Sequence, residues 1–307
     1  SCMAVSAQET CFIKGYIADN QLADGKVLKK VFLNCTDEFG QVQTVASAKV
    51  KKGSYAFKCE LNQGDPVMQY TITGFSEVEG ITLFVEPGEI LVNTSSATQL
   101  ELSTVSGTVT NDTYAAYKAI AQHGEAEVAR QIDELKALNG ASWLESAEGK
   151  REVKRIRAKE TIKVEAENIR FLIEHNASPM TPWAIEHTLF SKLSAAYAEQ
   201  MTKTIDVSLH THPYYYSLRN TMLASTLKAG TEAPDITLPL VSGEVKHLTD
   251  YRGKHVILSY WTDAEKATEM FAELENVYKA TKEQRDEYVI ISISLADDVA
   301  EWKKTVK

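Results

Sequence analysis

Four cysteines are the most reactive side chains of this sequence: Cys2, Cys11, Cys35 and Cys59. No two of them form a Cys-x-x-Cys motif, and their spacing fits no zinc-binding pattern. In an oxidising compartment, Cys11, Cys35 and Cys59 allow at most one structural disulfide, with one thiol left over. The alternative is that they are buried as small hydrophobic side chains. The sequence leaves the pair open, because geometry decides which cysteines can bond.

Two histidines, His210 and His212, alternate just before Pro213 and come nearest to a metal-ligand pattern. A metal site needs at least a third ligand, and His175 and His187 lie elsewhere in the same region. We therefore expect no metal site. No glycine-rich phosphate loop, Ser-His-Asp constellation or calcium loop is evident, so no cofactor is expected.

The composition is that of a globular protein that builds hydrophobic cores. Of the 307 residues, 44% are hydrophobic and 24% are charged, and the length favours two or three domains. The net charge of -9 disfavours binding to nucleic acid or to anionic lipid surfaces. No apolar run approaches the roughly 18 residues of a membrane-spanning helix, so no span is expected.

Residues 8–110 read as a β domain. Short segments rich in β-formers are separated by Gly, Asp, Asn or Pro, which predicts an antiparallel β sandwich. The predicted strands are 12–17, 30–35, 43–46, 55–59, 69–72, 81–85 and 89–92. Hairpin turns are predicted at residues 51–54 and 86–88, because Gly supplies a positive φ and Pro fixes φ.

Residues 111–228 form a predicted helical region that is rich in Ala, Glu, Lys and Arg. Near Gly107 the hydrophobic period changes from strand-like to helical, with Asn111 or Asp112 placed as an N-cap. The expected helices are 113–123, 125–139, 146–175, 182–204 and 214–228. Their dense charges predict solvated faces.

Residues 229–307 alternate strand and helix. The hydrophobic runs 255–261 and 288–295 are strand-length, and a helical pattern near 265–281 lies between them. A strand, helix and strand in this order predict a βαβ unit with a parallel pair of strands.

This last region resembles the redoxin (AhpC/TSA) and thioredoxin-like proteins that bacteria export, including thiol-disulfide oxidoreductases. The resemblance rests on three stretches: Gly230-Thr231-Glu232-Ala233-Pro234-Asp235-Ile236, Leu248-Thr249-Asp250-Tyr251-Arg252-Gly253-Lys254, and Val256-Ile257-Leu258-Ser259-Tyr260-Trp261. The segments at 84–90 and 105–112 resemble a β domain of unknown function that precedes such domains in envelope proteins. The resemblance implies a multidomain α+β chain whose thioredoxin-like α/β domain is incomplete, ending before the hairpin and last helix of the fold.

One departure from the family bears directly on function. In catalytic members a Cys-x-x-Cys pair follows the tryptophan that stands here as Trp261. Here Thr262 and the next residues form a shorter loop without a thiol. Alignment from the helix places Asp263 and Lys266 at the cysteine positions, and counting from the tryptophan gives Glu265 and Thr268 instead. Neither register restores a dithiol, and carboxylates at a helix start act as caps.

The expected function is therefore that of a non-catalytic thioredoxin-like envelope protein that binds a protein or peptide partner. One alternative is an active thiol-disulfide oxidoreductase whose cysteine loop and C-terminal half are not represented in this sequence. Another is a structural or nutrient-uptake accessory protein of the cell envelope that binds through its helical region.

The first residues indicate export. Ala4-Val5-Ser6-Ala7 resembles the end of a secretory signal, with cleavage before Gln8. Alternatively, Cys2 is the lipidated cysteine of a bacterial lipoprotein, or the chain simply starts at an arbitrary residue. The expected location is periplasmic, or at the outer membrane through a lipid anchor.

Overall fold

The computed structural model describes residues 8–36, 42–76, 80–261, 264–281, 283 and 286–295. The chain divides into two compact units, Ser1–Thr226 and Leu227–Lys307. The first contains the β and helical regions, and the second contains the α/β region. The α+β class expected from the sequence is confirmed.

Two four-stranded sheets make up the β region in the described residues. One sheet has the order β4-β1-β7-β8 and the other the order β3-β2-β5-β6. The strands are β1 (Gln8–Asp19), β2 (Lys30–Thr36), β3 (Val42–Lys49), β4 (Ser54–Asn62), β5 (Met68–Thr73), β6 (Ile81–Val85), β7 (Gly88–Ser96) and β8 (Thr104–Ser106). The strand pairs are antiparallel except β1 with β7, which run parallel with Cys11 opposite Gly88. A sequence pattern of alternation does not reveal this parallel pair.

The predicted turn at residues 51–54 forms and the chain bends at Pro87, but neither reversal closes a hairpin between paired strands. At residues 51–54, Lys52 and Gly53 have φ of 50° and 78°, and Lys51 and Ser54 exchange backbone hydrogen bonds. The strands that flank this turn lie in different sheets, as do β6 and β7 on either side of residues 86–88. The hairpin prediction was therefore wrong in its pairing. Turn residues fix a local reversal, whereas the core fixes which sheet each strand joins.

The core of the β region lies between the two sheets. On β1 the inward side chains of Cys11, Ile13 and Ile17 are buried. Gly15 is the next inward-facing position of this row, and the ring of Tyr55 occupies the space where its side chain would be. A Cβ at Gly15 would stand 1.9 Å from Cζ of Tyr55, so a larger residue there would displace the ring.

Helix α1 (Val109–Asn139) starts against the edge of the second sheet. Its N-cap is Thr108, so the prediction of Asn111 or Asp112 as the cap was wrong. Glu86 instead accepts hydrogen bonds from the backbone N–H and hydroxyl of Thr110, both at 2.8 Å. A carboxylate from the β region therefore satisfies a free donor of the first helical turn.

Helix α1 is followed by a second long helix, α2 (Ala147–Glu174). The sequence predicts a break in the first near Gly124, but α1 is continuous. Gly124 lies where α1 crosses α2, and a Cβ on it would stand 2.3 Å from Cγ2 of Val164. The glycine therefore serves close helix packing, and the predicted break was wrong.

The predicted single helix at 182–204 is divided. Its parts are α3 (Met180–Ala184), a π turn (Ile185–Leu189), a 3-10 turn (Phe190–Lys192) and α4 (Ala195–Thr204), and α5 (Pro213–Thr226) follows. Helix α4 begins anew because Ser194 caps it by accepting a hydrogen bond from the N–H of Tyr197. A second core in this region includes Phe84, a strand residue, beside Met180, Ile185 and Leu218.

The second unit contains the predicted βαβ arrangement. Strands β9 (Thr237–Pro239) and β10 (Val245–His247) pair antiparallel. Strand β11 (His255–Trp261), helix α6 (Ala264–Ala280) and strand β12 (Tyr288–Ser294) follow, and β11 and β12 pair in parallel with Val256 opposite Val289. The parallel pair predicted from the sequence is confirmed.

None of the helices in the described part of the chain is both long and apolar enough to span a membrane.

Candidate functional site

Trp261 ends β11, at the junction of strand and helix where the family resemblance places a Cys-x-x-Cys pair. It is buried, with 5% of its surface exposed, and its ring meets that of Phe271 edge-on at 5.8 Å. The Ser259 hydroxyl donates to the sulfur of Met270 at 2.8 Å. These contacts fix the first turns of α6 against the end of β11.

The residues predicted to stand at the family's cysteine positions follow Trp261 in the sequence. Thr262 and Asp263 fall outside the described residues, as do the side chains of Glu265 and Lys266 in α6. Ala267 is buried and Thr268 is exposed. The assignment of Asp263 and Lys266 to the cysteine positions stays a prediction.

The indole N–H of Trp261 is buried and has no acceptor among the described residues. A buried donor without an acceptor costs about 1–3 kcal/mol.

A groove of about 460 Å³ runs along α6 and β12 within the second unit. Tyr278 and Tyr288 meet edge-on there, with ring centres 6.5 Å apart. The groove is lined by Tyr251, Lys254, Phe271, Leu274, Glu275, Tyr278, Tyr288, Val289, Ile290 and Ser292. Aromatic rings with polar tips, beside one cation and one anion, suit an amphipathic peptide. No motif in the sequence indicates this groove, because its residues are brought together only by the βαβ unit.

Three cysteines of the β region lie within the described residues. Cys11 and Cys59 lie directly opposite each other on β1 and β4, whereas Cys35 lies on the other sheet, opposite Tyr70. Burial, followed by the nearby Cys59, raises the pKa of Cys11 to about 11, and burial also raises the pKa of Cys59. Both shifts disfavour the thiolate that thiol chemistry requires. Cys2 lies outside the described residues.

The described cysteines form no disulfide in this structure. We predict that oxidation joins Cys11 to Cys59 in a structural disulfide. Ile17 donates its N–H to the carbonyl of Gly53, the residue opposite it immediately before β4. Opposite residues of an antiparallel pair alternate between hydrogen-bonded and non-hydrogen-bonded, so Cys11 and Cys59, six positions along, are also a hydrogen-bonded pair. The Cα atoms of such a pair are about 5.5 Å apart, which meets the Cα criterion for a disulfide, and a bridge requires the two Cβ atoms to move closer than the roughly 5.5 Å of an ordinary pair. Peptide mapping of the oxidised, alkylated protein should show this bridge and an alkylated Cys35. A bridge to Cys35, or alkylation of all cysteines without reductant, would contradict it.

The two candidate histidines serve packing. His212 is buried, its Nδ1 accepts from the N–H of Tyr214 at 3.2 Å, and burial lowers its pKa. His210 stacks on Tyr215 with ring centres 4.4 Å apart. In the part of the chain that the structure describes, no group of three potential ligands is placed to hold a metal ion.

A second groove, of about 560 Å³, lies between α4 and α5. Its walls include Ala195, Met222 and Leu223, with Tyr215 and Arg219 at one side. The guanidinium of Arg219 lies over the Tyr215 ring at 5.9 Å. A binding role of the helical region would have this groove available. No sequence motif indicates the groove.

Comparison with protein families agrees with this architecture. Residues 12–114 match a domain of unknown function, DUF4369, and residues 229–307 match the AhpC/TSA family. No curated protein and no solved structure gives a significant match. The chain therefore carries a DUF4369 domain in its N-terminal part and a thioredoxin-like redoxin domain of the AhpC/TSA family in its C-terminal part.

Proposed function

We propose that the redoxin domain binds a protein or peptide segment and does not exchange thiols with it. Thiol-disulfide exchange needs an attacking thiolate and a second thiol that resolves the mixed disulfide. The junction from Trp261 to Thr268 contains no cysteine, and the sequence has none after Cys59. The binding surface of the domain can act without that chemistry.

The observation that carries the binding proposal is the groove along α6 and β12. Tyrosine and phenylalanine bury large areas at little cost in side-chain entropy, and the tyrosine hydroxyls bond to peptide groups. The groove also places Lys254 and Glu275 where either can pair with a charged side chain. Apolar side chains remain exposed on this unit, namely Ile257, Tyr260, Val277, Tyr278 and Leu295.

The test is binding of a peptide that contains no thiol. We expect fluorescein-labelled, carboxymethylated insulin B chain to bind the full chain saturably, measured by fluorescence anisotropy. Replacing Tyr278, which lines the groove, with alanine should weaken Kd about 5- to 30-fold, as loss of a central aromatic contact costs about 1–2 kcal/mol.

The matched control is Tyr260→Ala. Tyr260 is a similarly exposed tyrosine on β11, but it does not line the groove. Its replacement should leave Kd within about twofold, since it removes no groove contact. Absence of saturable binding, or equal weakening by both variants, would refute binding at the groove.

A further inference from the structure

Helix α2 carries an unusual concentration of positive charge. Residues 150–163 contain seven basic and two acidic side chains, a net charge of +5 in a chain of net charge -9. The rest of the chain therefore carries -14. The basic residues are Lys150, Arg151, Lys154, Arg155, Arg157, Lys159 and Lys163.

The basic side chains of residues 150–163 face the solvent, and the two acidic side chains face the protein. All seven basic residues are exposed, whereas Glu160 is buried and Glu152 is half-buried. Glu160 pairs with Lys163 at 2.6 Å, and Glu152 pairs with Arg155 at 2.5 Å. The acidic side chains thus turn inward, and the solvent meets the cations.

Three of the cations are left without an acidic partner. The side chains of Arg151, Lys154 and Lys159 make no ion pair or hydrogen bond with any residue that the structure describes. Lys150 reaches Glu145 at 3.2 Å, and Arg157 reaches Glu125 of α1 at 3.8 Å. The three unpaired charges are therefore free to meet an external anion.

The unpaired cations share one face of the helix with an exposed aliphatic side chain. Residues 151, 154, 155, 158, 159 and 162 follow the spacing of a single helical face. Ile162 is 68% exposed on this face, and Ala158 beside it is also exposed. At 1.5 Å per residue the face is about 17 Å long. We call these six residues the cationic face.

We propose that the cationic face of α2 binds peripherally to an anionic lipid surface. Cations that flank an exposed aliphatic residue on a straight helix match the pattern of interfacial helices, in which the apolar group enters the headgroup layer. An acidic protein partner would use the cations and leave Ile162 unexplained.

The net negative charge of the chain does not oppose this contact. At 0.1 M salt the Debye length is about 10 Å, so charges farther than that from the surface are largely screened. The nearby acidic side chains of α1 are partly neutralised within that helix, because Glu127 and Glu134 both pair with Arg130. Taken over the whole chain, the net charge disfavours anionic lipid. A net charge does not show that the positive charges are concentrated on one face of α2.

The test is co-flotation of the full chain with vesicles. We expect about fivefold more protein on vesicles of 70% phosphatidylcholine and 30% phosphatidylglycerol than on pure phosphatidylcholine, and loss of this difference at 0.5 M NaCl. The triple variant R151Q/K154Q/K159Q should lose most of the binding. Glutamine has a helix propensity close to that of lysine and arginine, so circular dichroism should be unchanged.

A second triple variant serves as the matched control. Variant K29Q/K51Q/K58Q changes the net charge equally, at exposed lysines of the β region, and should still bind. Equal binding to both vesicle types, or equal loss in both variants, would overturn the proposal. The proposal would also be overturned if the chain bound no vesicle but bound polyglutamate through the cationic face. That outcome would assign the face to an acidic protein.

Discussion

Replacing Phe84 with alanine should lower the free energy of unfolding of the Ser1–Thr226 unit by about 3–5 kcal/mol. Phe84 is a strand residue that is fully buried in the helical core. Its ring meets Tyr114 at 5.3 Å and Trp183 at 5.4 Å, both edge-on. Removing it leaves a cavity at the point where sheet and helices pack together.

Urea unfolding followed by circular dichroism would measure this loss. The matched control is Leu91→Ala on β7, since Leu91 is 39% exposed and should cost less than about 1 kcal/mol. A cost below about 1 kcal/mol for Phe84→Ala would show that the strand and helical region do not share this core.

Replacing Asn111 with alanine should cost about 2–4 kcal/mol, because it leaves two buried backbone groups unpaired. Asn111 accepts from the N–H of Phe84 at 2.9 Å and donates to its carbonyl at 2.7 Å, so its amide pairs with the edge of β6 as a further strand would. It also donates to the Thr108 hydroxyl at 2.8 Å.

Two further variants test whether the loss comes from the hydrogen bonds of Asn111. Asn111→Asp keeps an acceptor for the Phe84 N–H but loses both donated bonds, so it should also destabilise the fold. Thr113→Ala is the control, because the exposed Thr113 hydroxyl bonds only to the carbonyl of Val109 in its own helix, and its loss should cost below about 0.5 kcal/mol. Equal stability of Asn111→Ala and Thr113→Ala in the same urea measurement would contradict the role given to Asn111.

The elements that could be predicted from the sequence are those set by local periodicity. Strands β1 to β7 cover the predicted segments, and α2 and α5 lie close to their predicted ranges. Two of the errors concern partners that are distant in sequence. Gly124 interrupts a helical pattern but packs against Val164, and Asn111 has the type of an N-cap but pairs with Phe84.

The candidate site was predictable in position and not in shape. The resemblance located the junction after Trp261, because the strand and helix that flank it carry family motifs. The groove needed the fold, since Tyr251, Phe271 and Tyr288 come from three separate elements. The cationic face was hidden for a different reason: only the structure shows that Glu152 and Glu160 turn inward.

Insulin reduction by dithiothreitol decides whether this redoxin domain exchanges thiols. With an ordinary thioredoxin run beside it, the full chain should precipitate insulin no faster than dithiothreitol alone, because its β11–α6 junction offers no thiolate. Turnover above that uncatalysed rate, abolished when Cys2, Cys11, Cys35 and Cys59 are all changed to serine, would contradict the account.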